Sequence, residues 1–216
     1  MLKVHEIFRS IQGESTSAGV PCIFIRLYGC NVHCSFCDQP QKVGDCNRMS
    51  ILNIVTAVHK FRNTKNVCIT GGEPLIQDEV YSLIYTLVDE GYKVSVETNG
   101  CVPLDEDFHQ RSYNYIMDIK CPSSGVANKN IYDNIRKLHH NDELKFVVAN
   151  MEDYIFAKNV LRKYHTRAKI LFSPMFDTNL QPVMGKTLCD LVCEDFNTSD
   201  YDVRVQIQLH KILNTK

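Results

Sequence analysis

The chain has 216 residues, 44% of them apolar and 23% charged, with a formal net charge of -1. That length suffices for one α/β unit with a sizeable core, and the near-neutral balance gives no electrostatic case for nucleic acid or an anionic membrane as partner. No apolar run is long enough to span a bilayer, and Met1 to Glu6 lacks the pattern of a signal peptide, so a cytoplasmic protein is expected.

The segment Glu6 to Glu14 is dense in polar groups and reads either as a surface lead-in or as part of a site. Cys22 to Tyr28 follows as a strand that is apolar on both faces, as a buried parallel strand is. Arg26 interrupts it. A guanidinium there needs an anion, supplied either by an internal acid or by a ligand carboxylate. After an irregular stretch from Pro40 to Asn47, Ser50 is placed to cap a helix reaching about Phe61, with Ile51, Leu52, Ile54, Val55 and Val58 as its apolar stripe. Asn66 to Thr70 reads as a short strand ending in Gly71-Gly72-Glu73-Pro74, and a helix is predicted from about Gln77 to Glu90.

The next strand, Tyr92 to Thr98, alternates Lys93, Ser95, Glu97 and Asn99 against Val94 and Val96; the polar face meets either solvent or a cavity. Further strands are predicted at Asn114 to Lys120, Glu143 to Ala149, Lys169 to Ser173 and Val203 to His210. Helices are predicted at Asn130 to His140, Met151 to Tyr164 (with Ile155, Phe156, Val160 and Leu161 inward) and Pro182 to Phe196. There is no repeat and no interdomain linker, so residues 1–216 are read as one domain. Strands alternating with helices point to parallel connections, and the short length points to an incomplete parallel (β/α) barrel of about six strands.

Ten cysteines is a high count for a chain without a secretion signal. Cys22, Cys68 and Cys101 fit as small buried hydrophobes. Cys189 and Cys193, four apart on a predicted helix, have no further clustered ligands in sequence. Cys30, Cys34 and Cys37 are different: they lie at C-x3-C-x2-C spacing on a loop directly after the first predicted parallel strand. Three thiolates can hold an iron–sulfur cluster with one iron open, since a full set is four. Alternatively they form a zinc site completed by His33, Cys22 or Cys46.

The cysteine loop resembles the signature of the radical S-adenosylmethionine (SAM) enzymes, and Gly71-Gly72-Glu73-Pro74 resembles their glycine motif, one helix and one strand downstream. Glu6 to Glu14, Arg26, Glu97-Thr98-Asn99-Gly100 and the ending Gln206 to Lys211 are similar to the 7-carboxy-7-deazaguanine synthase family along nearly the whole chain. The resemblance implies a [4Fe–4S] cluster on Cys30, Cys34 and Cys37, with SAM completing the open iron. One-electron reduction then gives a 5′-deoxyadenosyl radical, which abstracts hydrogen from 6-carboxy-5,6,7,8-tetrahydropterin; the ring contracts, ammonia is lost and the cofactor is regenerated.

Carried over by position, the resemblance implies SAM contacts at Phe36, Asp38, Gly72, Glu73, Glu97, Asp118 and Lys120. It implies substrate contacts at Ile11, Gln12, Gly13, Glu14, Arg26, Thr70 and His210. It also implies a homodimer and a reducing partner such as a flavodoxin or ferredoxin. The family's Thr or Ser after the last cluster motif, which helps hold Mg²⁺, is Gln39 here. An amide oxygen can ligate a hard cation, but from a longer side chain. A glycyl-radical-enzyme activase and a non-catalytic zinc-binding module are the competing readings.

Overall fold

The computed structural model describes residues 1–39, 46–105 and 113–216. One nine-stranded sheet runs in the order β3-β1-β2-β4-β5-β6-β7-β8-β9. Its strands are β1 (Leu2–Ile11), β2 (Pro21–Leu27), β3 (Asn47–Met49), β4 (Asn66–Gly71), β5 (Lys93–Thr98), β6 (Tyr113–Ile119), β7 (Glu143–Val148), β8 (Lys169–Pro174) and β9 (Val203–Val205). From β2 onward every neighbouring pair is parallel, whereas β1 runs antiparallel to both β2 and β3. This is an α/β fold with a largely parallel sheet, as an incomplete barrel has.

The helices are α1 (Ile51–His59), α2 (Val80–Asp89), α3 (Asp133–Lys137), α4 (Met151–Lys163), α5 (Gly185–Asp195) and α6 (Leu209–Ile212). Local chemistry sets their ends. The Ser50 side chain accepts from Asn53 N and starts α1. Asn150 does the same for α4 through Asp153 N; acids in the first turn of α4 and bases in its last complement the helix dipole. Ile54, Val55 and Val58 of α1 and Leu83, Ile84 and Leu87 of α2 pack with Ile23, Ile25, Val67, Ile69, Val94 and Val96 into the main core. Alternate residues of the same strands face the other way. There Cys22, Phe24 and Cys68 form a small apolar floor against Phe8.

Several elements differ from the sequence expectation. The polar N-terminal segment is a full edge-region strand, with Glu6 opposite Arg26 in the β1–β2 register. Pro40 to Asn47, expected to be irregular, lies mostly outside the described residues. Leu52 is 74% exposed and Ile155 52% exposed, so neither belongs to a buried stripe; in α4, Tyr154 and Ala157 take the inward positions. The expected helix from Asn130 shortens to α3, because Asn130 and Asn134 bond loop backbone instead: the Asn130 side chain bonds Lys120 N and O, and that of Asn134 bonds Leu104 N and Val102 O. The last strand stops at Val205. Leu209, despite the clean alternation before it, opens the short helix α6, held by Leu209 N donating to Gly13 O at 2.8 Å.

Candidate active site

The ends of the parallel strands and the cysteine loop enclose a cavity of about 1060 Å³. Parallel α/β sheets place ligands at this end of their strands. Cys30, Cys34, Cys37, Phe36, Asp38 and Gln39 line one wall, Gly71 and Gly72 another, and Arg26, Thr70, Glu97, Asp118 and Lys145 the sheet side. Ile11 to Glu14 and His210 close the remaining side. Of the residues implied by the family resemblance, Glu73 alone is absent from this lining, and the alternative zinc ligands Cys22 and Cys46 are absent too.

Glu73 is fully buried beneath the cavity. Its Oε1 accepts from Leu75 N at 3.0 Å and Thr98 Oγ1 at 2.9 Å, and its Oε2 accepts from Asn99 N at 2.6 Å. It therefore caps the short 3-10 turn Pro74–Ile76 and ties it to the end of β5. Burial pushes its carboxyl up to about 7, against the pull of those three hydrogen bonds. The carboxylate is thus committed to the backbone and to Thr98, and does not line the cavity. Gly71 also has a structural reason. Its φ is +145°, and a Cβ there would lie 2.1 Å from the Leu27 carbonyl oxygen of β2.

Asn99 secures the cysteine loop to β5. Its Nδ2 donates to Asn31 Oδ1 at 2.8 Å and reaches Cys30 Sγ at 3.8 Å, while its Oδ1 accepts from Cys101 N at 2.8 Å. At the loop's other end, Asp38 pairs with Lys211 of α6 at 3.2 Å. Among the described residues, no three His, Cys, Asp or Glu side chains are grouped as ligands of a single metal ion. Cys22 is buried at the start of β2, in the apolar floor, so it is no fourth zinc ligand. Three thiols spread along one cavity wall fit a cluster that distributes them over separate irons.

The polar row above the apolar floor runs across the sheet. Gln12, 4% exposed, donates through Nε2 to Glu97 Oε1 at 3.2 Å, and Thr70 Oγ1 donates to Glu97 Oε2 at 2.7 Å. Lys145 Nζ lies 2.5 Å from Glu14 Oε2 and 3.1 Å from Asp118 Oδ1, and Asp118 Oδ2 meets Lys120 Nζ at 2.5 Å. Gln208 Nε2 donates to Glu14 Oε1 at 2.7 Å. Burial acts to raise the Glu14 and Asp118 carboxyls, but the adjacent ammonium groups outweigh it and hold both below the ordinary range. For Lys145 burial acts downward, and the carboxylates of Asp118, Glu14 and Glu97 outweigh it, carrying it well above the ordinary lysine value.

Arg26 meets an internal acid and also reaches the cavity. It lines the cavity, and its Nε lies 3.1 Å from Glu6 Oε1, with the guanidinium 5.5 Å above the Phe8 ring. Lys216 shares the same carboxylate and the same ring. His210 packs on Gly13, where a Cβ would fall 2.0 Å from its Nδ1. Sequence reading missed Lys145 as a cavity residue and gave Asn99, Gln208 and Lys211 no individual role, although they lie within its motifs. The strand pattern of Glu143, Lys145 and Val147 facing opposite Leu144, Phe146 and Val148 was the available signal for Lys145.

A cysteine-rich loop after the first parallel strand of a partial α/β barrel, with glycines at the next strand's end, defines the radical SAM class; the radical SAM superfamily model matches residues 24–117. Membership of that superfamily implies a [4Fe–4S] cluster and SAM. The chain belongs to the 7-carboxy-7-deazaguanine synthase family. It is 38% identical to the 7-carboxy-7-deazaguanine synthase of Methanospirillum hungatei, over 98% of this chain and 85% of that protein. With the synthase of Koribacter versatilis it shares 36% identity, over 99% of this chain and 97% of the relative. The crystal structure of QueE from Escherichia coli shares the fold at a TM-score of 0.69 and 20% identity, covering 95% of this chain and 93% of that one.

Proposed function

We propose that this chain, as one domain, converts 6-carboxy-5,6,7,8-tetrahydropterin to 7-carboxy-7-deazaguanine by hydrogen abstraction and ring contraction with loss of ammonia, in the supply of 7-deazapurines such as queuosine. The observation that carries this reading is the convergence of Gln12, Glu14, Arg26, Thr70 and His210 on the same cavity as the three cysteines. Its volume of about 1060 Å³ lies at the top of the roughly 300–1,000 Å³ range of small-molecule sites, which supports a site for more than a single small ligand.

In this reading Cys30, Cys34 and Cys37 hold the cluster, and Phe36, Asp38, Gly72, Glu97, Asp118 and Lys120 line the SAM side. When bound, the two groups together supply a hydrogen-abstracting carbon radical after one-electron reduction. The chain's residues orient the substrate. Arg26 presents its planar fork to the pterin carboxylate. Gln12 and Thr70, both fixed by Glu97, read the ring edge, and Glu14 accepts from its amino or amide groups. Stacked on Gly13, His210 walls the pterin on the side of the C-terminal segment.

Gln39 lines the cavity beside Cys37, whose Sγ lies 3.3 Å from the Gln39 carbonyl oxygen. A Mg²⁺ held there would use the side-chain amide oxygen. Replacing Gln39 with Thr is expected to strengthen the response to Mg²⁺; an unchanged titration in both proteins removes the metal from the reading. A flavodoxin or ferredoxin as reductant, a homodimer and a cytoplasmic location complete the proposal. Among the described residues, no helix is long and apolar enough to cross a membrane. The test is anaerobic turnover of the carboxy-tetrahydropterin by reconstituted, reduced protein. Product carrying the contracted ring is expected, and its absence from protein that still cleaves SAM overturns the substrate assignment.

A further inference from the structure

Lys145 stands out among the cavity residues because no role above uses it. It lies on the inner face of β7, is 8% exposed, and lines the cavity. Its strand neighbours in register are Asp118 on β6 and Leu171 on β8. Its ammonium is the middle of a continuous row, Gln208–Glu14–Lys145–Asp118–Lys120, with charges alternating from Glu14 onward. One half of the row, Glu14 with Gln208, belongs to the segments that face the proposed substrate. The other half, Asp118 with Lys120, belongs to the strand end that faces SAM. Only Lys145 touches both halves.

The two halves are not equally dependent on it. Asp118 keeps Lys120 at 2.5 Å if Lys145 is removed, whereas Glu14 keeps only the neutral amide of Gln208. A buried ion row is also not what the fold needs for stability, since apolar residues of similar volume commonly serve as well. Leu171 and Val147 flank the position and would accept a methionine side chain.

We propose that Lys145 is a positioning residue that holds the Glu14 carboxylate over the substrate space by anchoring it to Asp118 on the cofactor side. The proposal rests on the pterin reading above. It makes the placement of the Glu14 carboxylate relative to Asp118 a property of one ammonium group, carried on β7 and paired with both acids, beside the separate tie of Gln12 and Thr70 to Glu97. Misplacement by about 1 Å can cost on the order of 100-fold in a reaction that needs reacting atoms in contact.

The experiment compares wild type with Lys145→Met and Lys145→Gln, all reconstituted with cluster under anaerobic conditions. Calorimetry measures SAM and pterin binding separately, and turnover assays measure 5′-deoxyadenosine released per product formed. For Lys145→Met, pterin affinity is expected to fall at least about tenfold and SAM affinity by less than about threefold; abortive 5′-deoxyadenosine per product should rise about 10- to 100-fold. Lys145→Gln, which retains a donor for Glu14, is expected to fall between. Equal loss of both affinities, no loss of either, or failure of both variants to fold by circular dichroism assigns Lys145 to bracing alone and overturns the proposal. Pterin binding and turnover by wild type are read in the same series, so failure of the substrate assignment shows there and not in the variants.

Discussion

Replacing Glu73 with Ala tests whether this carboxylate is part of the frame or of the cofactor site. In the fold it accepts two buried backbone N–H groups, from Leu75 and Asn99, and the Thr98 hydroxyl. The hydroxyl can rotate to another acceptor; the two amides cannot. Leaving each buried amide unpaired costs about 1–3 kcal/mol, so Glu73→Ala is expected to cost about 2–6 kcal/mol of a total stability of roughly 5–15 kcal/mol. Urea denaturation of the cluster-free protein reads this directly as a fall in midpoint at constant slope.

The pH dependence supplies a second arm. The carboxyl lies at about 7 in the fold against 4.5 in its ordinary state, because burial disfavours its charge. A carboxyl raised by folding holds its proton longer in the native state. Its contribution is therefore complete below about 4.5 and is lost as pH rises through about 7. The difference of about 2.5 pH units sets an upper limit near 3 kcal/mol. Glu73→Gln cannot ionise, so wild type should lose stability relative to this variant between pH 4.5 and 7. A Glu73→Ala protein within about 1 kcal/mol of wild type that fails to bind SAM would refute this reasoning and return Glu73 to the cofactor.

Arg26→Ala is expected to raise the substrate KM much more than it lowers SAM cleavage, measured as uncoupled 5′-deoxyadenosine; equal loss of both would count against its carboxylate role. Gly13→Ala places a methyl group against the His210 ring and, at 2.9 Å, against its Cβ, so it should displace the ring and strain the α6 contact, raising substrate KM and lowering thermal stability. Ser50→Ala removes the α1 cap and should cost about 1 kcal/mol in denaturant unfolding, with activity intact.

How far the sequence revealed the molecule depended on where each signal resided. The parallel strands β2, β4 and β8 were visible as apolar runs, and β6 and β7 as β-branched and aromatic stretches between Gly, Pro and Asn turns. The strand β1 was hidden: its inner positions include Glu6, and its polar content reads as surface until Arg26 is seen opposite in register. Val203 to Leu209 misled for the converse reason. Its period of two is real, but the chain is pulled out of the sheet after Val205 by the bond from Leu209 N to Gly13 O, a contact between distant segments that no local pattern encodes. The cysteine loop, Gln12, Arg26 and Thr70 were legible as a motif resemblance, and they do reach one cavity. Lys145 was not, and Gln208 had no role of its own within the C-terminal motif, because their bonds to Glu14 span 131 and 194 residues, respectively. Glu73 was assigned by its neighbours in sequence, whereas its orientation is set by the amides it must satisfy.

The return of the final residues to the first strand has a consequence for assembly. From β4 onward each strand adds beside the one before it, so most of the sheet grows in the order of synthesis. The contacts of Ser10 with Thr215 and Lys216 span more than 200 residues, and that of Glu14 with Gln208 spans 194. Closing such long loops is slow relative to local pairing. The wall over the cavity therefore depends on contacts between distant segments, whereas the sheet from β4 onward depends on pairing between successive strands. Until that wall closes, the side of the cavity made by Gly13, Glu14, Gln208 and His210 is incomplete.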